Sequence, residues 1–249
     1  MSGHSKWHSI KHKKGAADAK RGKLFAVLIR QIEIAARSGG GDQASNATLR
    51  SMVQKARDNS LPVDTIQRAI KRGTGEEEGV IYEQVSYEGY AASGVAVIVQ
   101  ALTDNRNRTS AEIKNIFSRN GGSFAEPGAV SWQFERQGIV LVDKAADEDE
   151  LTLVAADAGA EDVQDIGDSW QVTTPPTELH AVRTAIEEAG MKVSSSDLTM
   201  IPTTSVALEQ EDKAKSVLRL MDALEDHDDV EAVYANFDIP DSVLEAVSA

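Results

Sequence analysis

The clearest pattern of secondary structure in the chain lies in residues 138–200, GIVLVDKAADEDELTLVAADAGAEDVQDIGDSWQVTTPPTELHAVRTAIEEAGMKVSSSDLTM. Short β-rich runs alternate in it with amphipathic runs of helical period. The pattern predicts strands and helices in the order strand, helix, strand, strand, helix, strand, at residues 139–142, 148–158, 162–166, 170–173, 177–189 and 192–200. Such a β-α-β-β-α-β unit closes its own sheet, so it predicts a ferredoxin-like α/β sandwich.

The segments that flank this unit are each incomplete alone. The elements predicted in them are strands at 82–87, 95–102, 130–134 and 231–237, helices at 109–119 and 212–224, and a tight loop at 120–128. A sheet covered by one helix leaves apolar surface exposed, so we expect both flanks to build one domain. The predicted organisation is a discontinuous middle domain, 77–136 plus 203–249, with an inserted acidic domain at 137–202. A linear order of three domains is the alternative.

Residues 1–76 are predicted to be a basic arm followed by a helical domain. Apolar residues recur every three or four positions at 16–37, at 49–56 and at 62–73, and Gly-rich turns end the first and third segments. The predicted fold class is therefore α+β and multidomain. It combines an N-terminal three-helix domain with two ferredoxin-like α/β sandwich domains, of which the last is inserted into the middle domain.

Basic and acidic residues are segregated along the chain, whose formal net charge is −14. Through Arg72 there are 15 Lys and Arg against 5 Asp and Glu, a net charge of +10, so the rest carries 11 basic and 35 acidic residues, or −24. A polyanion is attracted to the first part and repelled by the second. Binding is expected to be oriented, while the acidic runs at 147–150 and 225–229 are expected to be solvated surface.

Several function classes find no support in the sequence. The absence of cysteine excludes disulfides, thiolate zinc sites and cysteine nucleophiles. The apolar run at 24–29 stops at Arg30, so no export or membrane segment is predicted, and a cytoplasmic location is expected. No acid, base and nucleophile set is visible, and the glycines at 39–41 lack the Lys of a phosphate-binding loop. We therefore expect a protein that is not an enzyme and needs no cofactor.

The N-terminal arm has the residue types that bind nucleic acid. Its first 23 residues hold seven Lys and Arg, three His and one Trp. Lys and Arg attract phosphate, His donates hydrogen bonds, and Trp7 offers a face on which a base can stack, although a core anchor is the alternative for Trp7. The predicted contacts are His4, Lys6, Trp7, His8, Lys11, His12, Lys13, Lys14, Lys20, Arg21 and Lys23.

The histidines of this arm also permit a second hypothesis. His4, His8 and His12 have the spacing that would place three imidazoles on one helical face as metal ligands. The interleaved lysines would repel a divalent ion, and no carboxylate lies nearby in the sequence. A metal-dependent nuclease is therefore the last of the hypotheses, and no metal is expected.

A second candidate site follows the strand at 95–102. Arginine presents forked donors that fit phosphate or a guanine edge, and asparagine can read a base edge. The predicted contacts are Asn105, Arg106, Asn107 and Arg108. The structural alternative, which can hold at the same time, is that Asn107 or Thr109 caps the next helix while Arg106 points to water.

Four tracts of the chain closely resemble the YebC/PmpR family. They are SGHSKWHSIKHKKGAADAKRGKLF (2–25), NATLRSMVQKARDNSLPVDTIQRAIKRGTG (46–75), YEGYAASGVAVIVQALTDNRNRT (87–109) and FSRNGGSFAEPGAVSWQFERQGIV (117–140). The resemblance implies a helical N-terminal domain with two α/β domains. Family members are described as DNA-binding transcriptional regulators. Related proteins, including the mitochondrial translational activator of cytochrome c oxidase subunit I, act in translation at the ribosome on difficult nascent peptides such as proline runs.

Two functions follow from the residues and the resemblance together. A Lys/His arm and an Arg/Asn loop suit an irregular RNA surface, and the sequence shows no recognition-helix module. The favoured expectation is a noncatalytic translation factor that contacts ribosomal RNA or tRNA, with no membrane partner. The alternative is a DNA-binding transcriptional regulator. A protein partner for the acidic domain stays open.

Overall fold

The computed structural model describes residues 17–240, Val243 and Val247, and for residues 17–20 only the backbone. Within this part of the chain there are seven α-helices and three β-sheets, which confirms the predicted α+β multidomain class. The helices are α1 (Ala17–Gly39), α2 (Ala47–Asp58), α3 (Val63–Thr74), α4 (Arg106–Arg119), α5 (Glu148–Asp157), α6 (Leu179–Glu188) and α7 (Glu211–Glu225). The strands are β1 (Glu83–Tyr90), β2 (Ala96–Thr103), β3 (Ser123–Ala125), β4 (Phe134–Asp143), β5 (Asp162–Asp165), β6 (Ser169–Thr174), β7 (Val193–Pro202), β8 (Val206–Ala207), β9 (Val230–Ala235) and β10 (Phe237–Asp238).

The chain divides into two compact units. The first contains the residues up to Arg30, residues 79–135 and the residues from Ile201 onward, and the second contains residues 31–78 and 136–200. The boundary after Arg30 falls inside α1. The boundaries of the three predicted domains stay a prediction.

The second unit contains the ferredoxin-like sandwich that the sequence predicts. Its sheet has the strand order β5-β6-β4-β7, and β4 pairs antiparallel with β6 so that Val140 lies opposite Val172. The buried residues of α5 and α6 alternate at helical spacing and pack with the strands into one core. That core consists of Val140, Val142, Leu151, Ala155, Trp170, Val172, Leu179, Val182 and Ile186.

The helices of the second unit are joined by polar contacts with specific geometry. Asn46 caps α2 by accepting the Leu49 N–H, while its amide donates to Ala35 O at 2.9 Å and Gly40 O at 2.8 Å. Nearly buried Arg183 on α6 pairs with Asp58 of α2 at 2.7 Å. These contacts join α2 to the end of α1 on one side and to α6 on the other.

The first unit is built on the sheet β3-β1-β2-β9. Tyr87, Val99 and Val233 lie directly opposite one another on β1, β2 and β9 and are buried in the core that the sheet forms with α4 and α7. A Cβ on Gly89 would lie 2.5 Å from the Phe117 ring, so glycine allows α4 to approach the sheet. β10 and β8 form a separate parallel pair.

The structure corrects two predicted elements near residue 130. Residues 131–133 form a 3₁₀ turn, and the predicted strand at 130–134 begins only at Phe134, where β4 starts. The N–H groups of Gly128, Val130 and Ser131 donate to the Glu88 carboxylate and so are not available to a strand partner. The predicted loop at 120–128 contains strand β3, which pairs with β1.

Candidate nucleic-acid interface

The predicted contacts of the arm fall largely outside the described residues. This holds for His4, Lys6, Trp7, His8, Lys11, His12, Lys13 and Lys14, including the three histidines of the metal hypothesis. Lys20 lies in α1, but its side chain is also outside the described part. Their role in binding stays a prediction.

The two remaining predicted cations of α1 have different surroundings. The exposed Arg21 guanidinium lies over the Phe25 ring, 5.3 Å from its centroid. The Lys23 ammonium donates to Glu225 O and, at 2.6 Å, to His227 O. Because these carbonyls belong to the last residue of α7 and to the turn just after it, Lys23 complements the negative end of that helix. Arg21 is therefore the one of the two whose charge faces solvent.

Residues 105–108 form the N-terminal cap and first turn of α4 rather than a free loop. The Asn105 side chain accepts the Arg108 N–H at 3.1 Å, and the Asn105 N–H donates to Thr103 Oγ1 at 2.9 Å. The helix starts three residues before the predicted Thr109, so Asn105 replaces Asn107 and Thr109 as the cap. The cap leaves the side chains of Arg106 and Asn107 exposed on the first turn.

The two arginines of this turn differ in what they contact. Arg108 Nη2 pairs with Asp104 at 3.0 Å and with Asp229 at 2.7 Å. The hydrogen bond and charge of Asp229 raise the pKa of Arg108. No carboxylate of the described residues lies within ion-pair distance of the Arg106 guanidinium. The Tyr87 hydroxyl donates a hydrogen bond to the Arg106 backbone carbonyl at 3.4 Å, which leaves the side chain unaffected. The structure thus gives Arg108 an internal partner and leaves the Arg106 charge to the solvent.

Asp229 is the residue that holds this turn, and the sequence did not reveal it. Its nearly buried carboxylate accepts from Arg108 and from the Thr109 hydroxyl, each at 2.7 Å, and its Oδ1 lies 3.8 Å from Arg30 Nη1. Burial raises the pKa of Asp229, but the hydrogen bonds from Arg108 and Thr109 and the Arg108 charge outweigh it, so the pKa lies below its ordinary value. The acidic run at 225–229, predicted to be solvated, therefore ends in a buried ionised anchor.

The side chains next to Asp229 also test the idea of a metal site. Ligand atoms of Glu112, His227 and Asp229 lie within 4.8 Å of one another. However, His227 Nδ1 accepts the Asp229 N–H at 3.1 Å, and its Nε2 lies 2.8 Å from Glu112 Oε2. Both ring nitrogens have protein partners, and Arg108 supplies the positive charge beside Asp229. The cluster is better described as a hydrogen-bond network than as an open coordination site.

The loop at 128–131 of the first unit is held by the buried carboxylate of Glu88, which no sequence pattern indicated. Glu88 accepts from Gly128 at 2.8 Å, from Val130 at 2.6 Å and from Ser131 at 3.0 Å. Burial raises the pKa of Glu88, but these hydrogen bonds lower it further than burial raises it. The loop displays Trp132, which is 71% exposed while its Nε1 donates to Ala129 O at 3.1 Å.

Comparison with known proteins identifies the family. Residues 5–76 match the model of the TACO1/YebC protein N-terminal domain, and residues 82–237 match that of the TACO1/YebC second and third domain. The chain belongs to the TACO1/YebC family. This confirms the resemblance seen in the sequence, and the two matches cover the candidate residues of the α4 turn and all of those of the arm except His4.

Relatives in the TACO1/YebC family match over the full length. Proteins named "Probable transcriptional regulatory protein" from Halothermothrix orenii and Thermobifida fusca are each 53% identical, over all of this chain and 99% and 100% of the relatives. The conserved protein Aq1575 from Aquifex aeolicus, whose crystal structure is known, has 45% sequence identity to this chain. The two structures have a TM-score of 0.84, and the match covers 93% of this chain and 96% of Aq1575. No helix among the described residues is long and apolar enough to span a membrane.

Proposed function

We propose that this protein is a noncatalytic, cytoplasmic regulator of gene expression that binds nucleic acid through its basic N-terminal arm and the first turn of α4. The favoured target is ribosomal RNA or tRNA, so that the protein acts as a translation factor. The alternative target is DNA, which would make it a transcriptional regulator. Neither function requires a cofactor or a membrane.

The observation that carries this proposal is the fixed presentation of Arg106 and Asn107. Both side chains are exposed on a helical first turn whose backbone is capped by Asn105. A guanidinium, an amide and the positive end of a helix then face the solvent together, which is an arrangement that favours a phosphate backbone. The +10 charge of residues 1–72 supplies long-range attraction to the same polyanion.

The choice between RNA and DNA rests on different observations. The favoured RNA target follows from the irregular surface that an arm and a helical turn can fit, since single-stranded and folded RNA are bound through such surfaces. The names of the relatives, which describe transcriptional regulation, support the DNA alternative. A direct comparison of the two targets is therefore part of the test.

The first test is sedimentation of cell lysate through sucrose gradients at low and high salt. We expect the wild-type chain to travel with ribosomal particles at low salt and to be released at high salt, because phosphate contacts are weakened by salt. The variant Lys11/Lys13/Lys14→Glu should stay at the top. The matched control is Lys213/Lys215/Arg219→Glu, which makes the same change of charge at three exposed positions of α7.

The outcomes separate the hypotheses. If wild type and both variants stay at the top at low salt, the ribosomal target is wrong, and selective retention of promoter DNA over random DNA at equal salt would support the alternative. Cleavage of RNA or DNA that a chelator stops would overturn the noncatalytic assignment. Equal release of the arm variant and the α7 control would show that net charge, rather than the arm, governs binding.

A further inference from the structure

We infer that Asp229 is a positioning residue for nucleic-acid binding, although it is acidic and is itself screened from the ligand. This inference rests on the proposed function. It assigns to Asp229 the task of holding the first turn of α4 in the orientation that presents Arg106 and Asn107. An acidic residue would then strengthen the binding of a polyanion.

The contacts of Asp229 converge on both ends of that turn. Its Oδ2 lies 2.7 Å from Arg108 Nη2 and 2.7 Å from Thr109 Oγ1. Thr109 Oγ1 is also 2.7 Å from Thr103 Oγ1, the atom that accepts the N–H of the cap residue Asn105. The carboxylate, two threonine hydroxyls and the cap therefore form one continuous network beneath the exposed pair.

The backbone of Asp229 adds a second attachment. Its carbonyl accepts the Leu102 N–H at 2.8 Å, so residue 229 is tied to the strand that leads into the turn. The main-chain and side-chain contacts of Asp229 together fix the end of β2 and the start of α4 relative to each other. A network whose members are all hydrogen-bonded restricts motion more than a single ion pair does.

The same segment also holds the helix that continues from the basic arm. Arg30 Nη1 donates to Asp228 O at 2.9 Å and lies 3.8 Å from Asp229 Oδ1, while the Arg30 guanidinium lies over the Tyr82 ring. Lys23 donates to the carbonyls of Glu225 and His227. Residues 225–229 thus join two basic elements of the first unit, the start of α1 and the start of α4.

A role in stability alone does not explain this arrangement well. The Arg108 side chain is 42% exposed, and an ion pair that is open to water on one side contributes little net stability, because solvent weakens the attraction between its charges. What the pair does provide is a unique orientation of the groups it joins. That orientation fixes the positions of Arg106 and Asn107, whose own side chains make no ion pair or side-chain hydrogen bond among the described residues.

The test compares two substitutions with the same change of charge at neighbouring positions. Asp228 is exposed and contributes only its carbonyl to the contacts above, whereas Asp229 is buried and contributes its carboxylate. Asp228→Asn should leave binding unchanged or strengthen it slightly, because it removes a negative charge near a polyanion. Asp229→Asn removes the same charge but should weaken binding roughly tenfold, which is the cost of losing about one well-placed contact.

Binding is measured by fluorescence anisotropy of the full-length chain with a labelled RNA stem-loop and a labelled DNA duplex of equal length, over a series of salt concentrations. Arg106→Gln is added to each background. It should weaken binding and reduce the salt slope by about 1 in the wild type and in Asp228→Asn. It should have little further effect in Asp229→Asn, where the turn is no longer held.

A purely structural role would not produce this loss of coupling in a folded protein. If Asp229→Asn does not fold, Thr109→Val removes one donor to the carboxylate at constant charge, and it should weaken binding in the same direction. Equal affinities of Asp228→Asn and Asp229→Asn, or an undiminished Arg106→Gln effect in the Asp229→Asn background, would overturn the inference. Failure of the wild type to bind either probe would instead overturn the proposed function.

Discussion

Two buried carboxylates of the first unit each fix a segment of backbone by accepting hydrogen bonds: Glu88 holds the loop at 128–131, and Asp229 holds the first turn of α4. In both, burial alone would raise the pKa, yet the hydrogen bonds lower it. Both residues are therefore charged in the folded protein near neutral pH. Neither stands out in the sequence, because an isolated Glu in a strand and the last Asp of an acidic run are both typical of solvated positions.

Glu88 gives a prediction about pH at the scale of a single residue. A carboxyl group whose pKa is lowered on folding stabilises the native state above its unfolded pKa of about 4.3. That stabilisation is complete above about pH 5 and is lost as the pH falls through the lower, folded-state pKa. Glu88→Gln should lower the free energy of unfolding at pH 7 by about 2 kcal/mol and flatten the acid side of the stability profile.

The measurement is urea unfolding at pH 7 together with thermal melting between pH 7 and pH 3. Glu126→Gln is the matched control, since Glu126 is an exposed acid of the loop that Glu88 holds. It should change neither the stability nor the pH profile appreciably. An unaltered acid slope in Glu88→Gln would show that the Glu88 carboxylate does not anchor the loop.

Among the secondary-structure elements, α4 shows how a single capping residue determines where a helix begins. The sequence contains two asparagines within three positions, and either could cap a helix. The structure uses Asn105, because its N–H also reaches Thr103 Oγ1 and places it at the end of β2. Asn107 then falls inside the first turn with its side chain exposed. Asn105 therefore has the capping role that the sequence suggested for Asn107 or Thr109, and Asn107 keeps an exposed side chain.

This assignment predicts opposite effects of two alanine substitutions. Asn105→Ala should lower the free energy of unfolding by about 1 kcal/mol through loss of the cap. Asn107→Ala should leave stability nearly unchanged and weaken nucleic-acid binding. Urea unfolding and anisotropy measurements on both variants provide the check. A larger stability loss in Asn107→Ala than in Asn105→Ala would contradict the assignment of the cap.

At the level of the whole molecule, the segregation of charge predicts that the proposed nucleic-acid ligand is bound in one orientation. The residues after Arg72 carry a net charge of −24, and many of their carboxylates are exposed, among them Asp149, Asp157 and Glu188. We expect these groups to repel a polyanion without contacting it. Their effect should therefore be electrostatic, long-ranged and sensitive to salt.

The variant Asp149→Asn/Asp157→Asn/Glu188→Gln tests this expectation. Its affinity for the RNA stem-loop should rise by a few fold at low salt, and the gain should vanish when the Debye length falls to about 3 Å near 1 M salt. Anisotropy at several salt concentrations measures the change. A gain that persists at high salt would indicate that these carboxylates lie at the binding surface instead of away from it.

Local sequence patterns were sufficient to predict the ferredoxin-like unit at 138–200, most of the helices and long strands around it, and the opposite charges of the two parts of the chain. These are local properties: hydrophobic period, turn residues and composition are present in each segment before it meets another. The predicted starts of a helix at 109 and of a strand at 130 are wrong, because the Asn105 cap starts α4 at Arg106 and the hydrogen bonds to the Glu88 carboxylate delay the strand until Phe134.

Long-range contacts, in contrast, determine which polar residues of the candidate site have a protein partner and which face solvent. Arg108 and Thr109 meet Asp229 across 121 and 120 positions of sequence, a pairing that no local pattern encodes. Because β9 pairs with β2, the Asp229 carboxylate just before β9 lies beneath the first turn of α4. There it pairs with Arg108 and not with Arg106. The physical reason is that a buried charge must find a partner, and that partner is chosen by the packing of the whole unit.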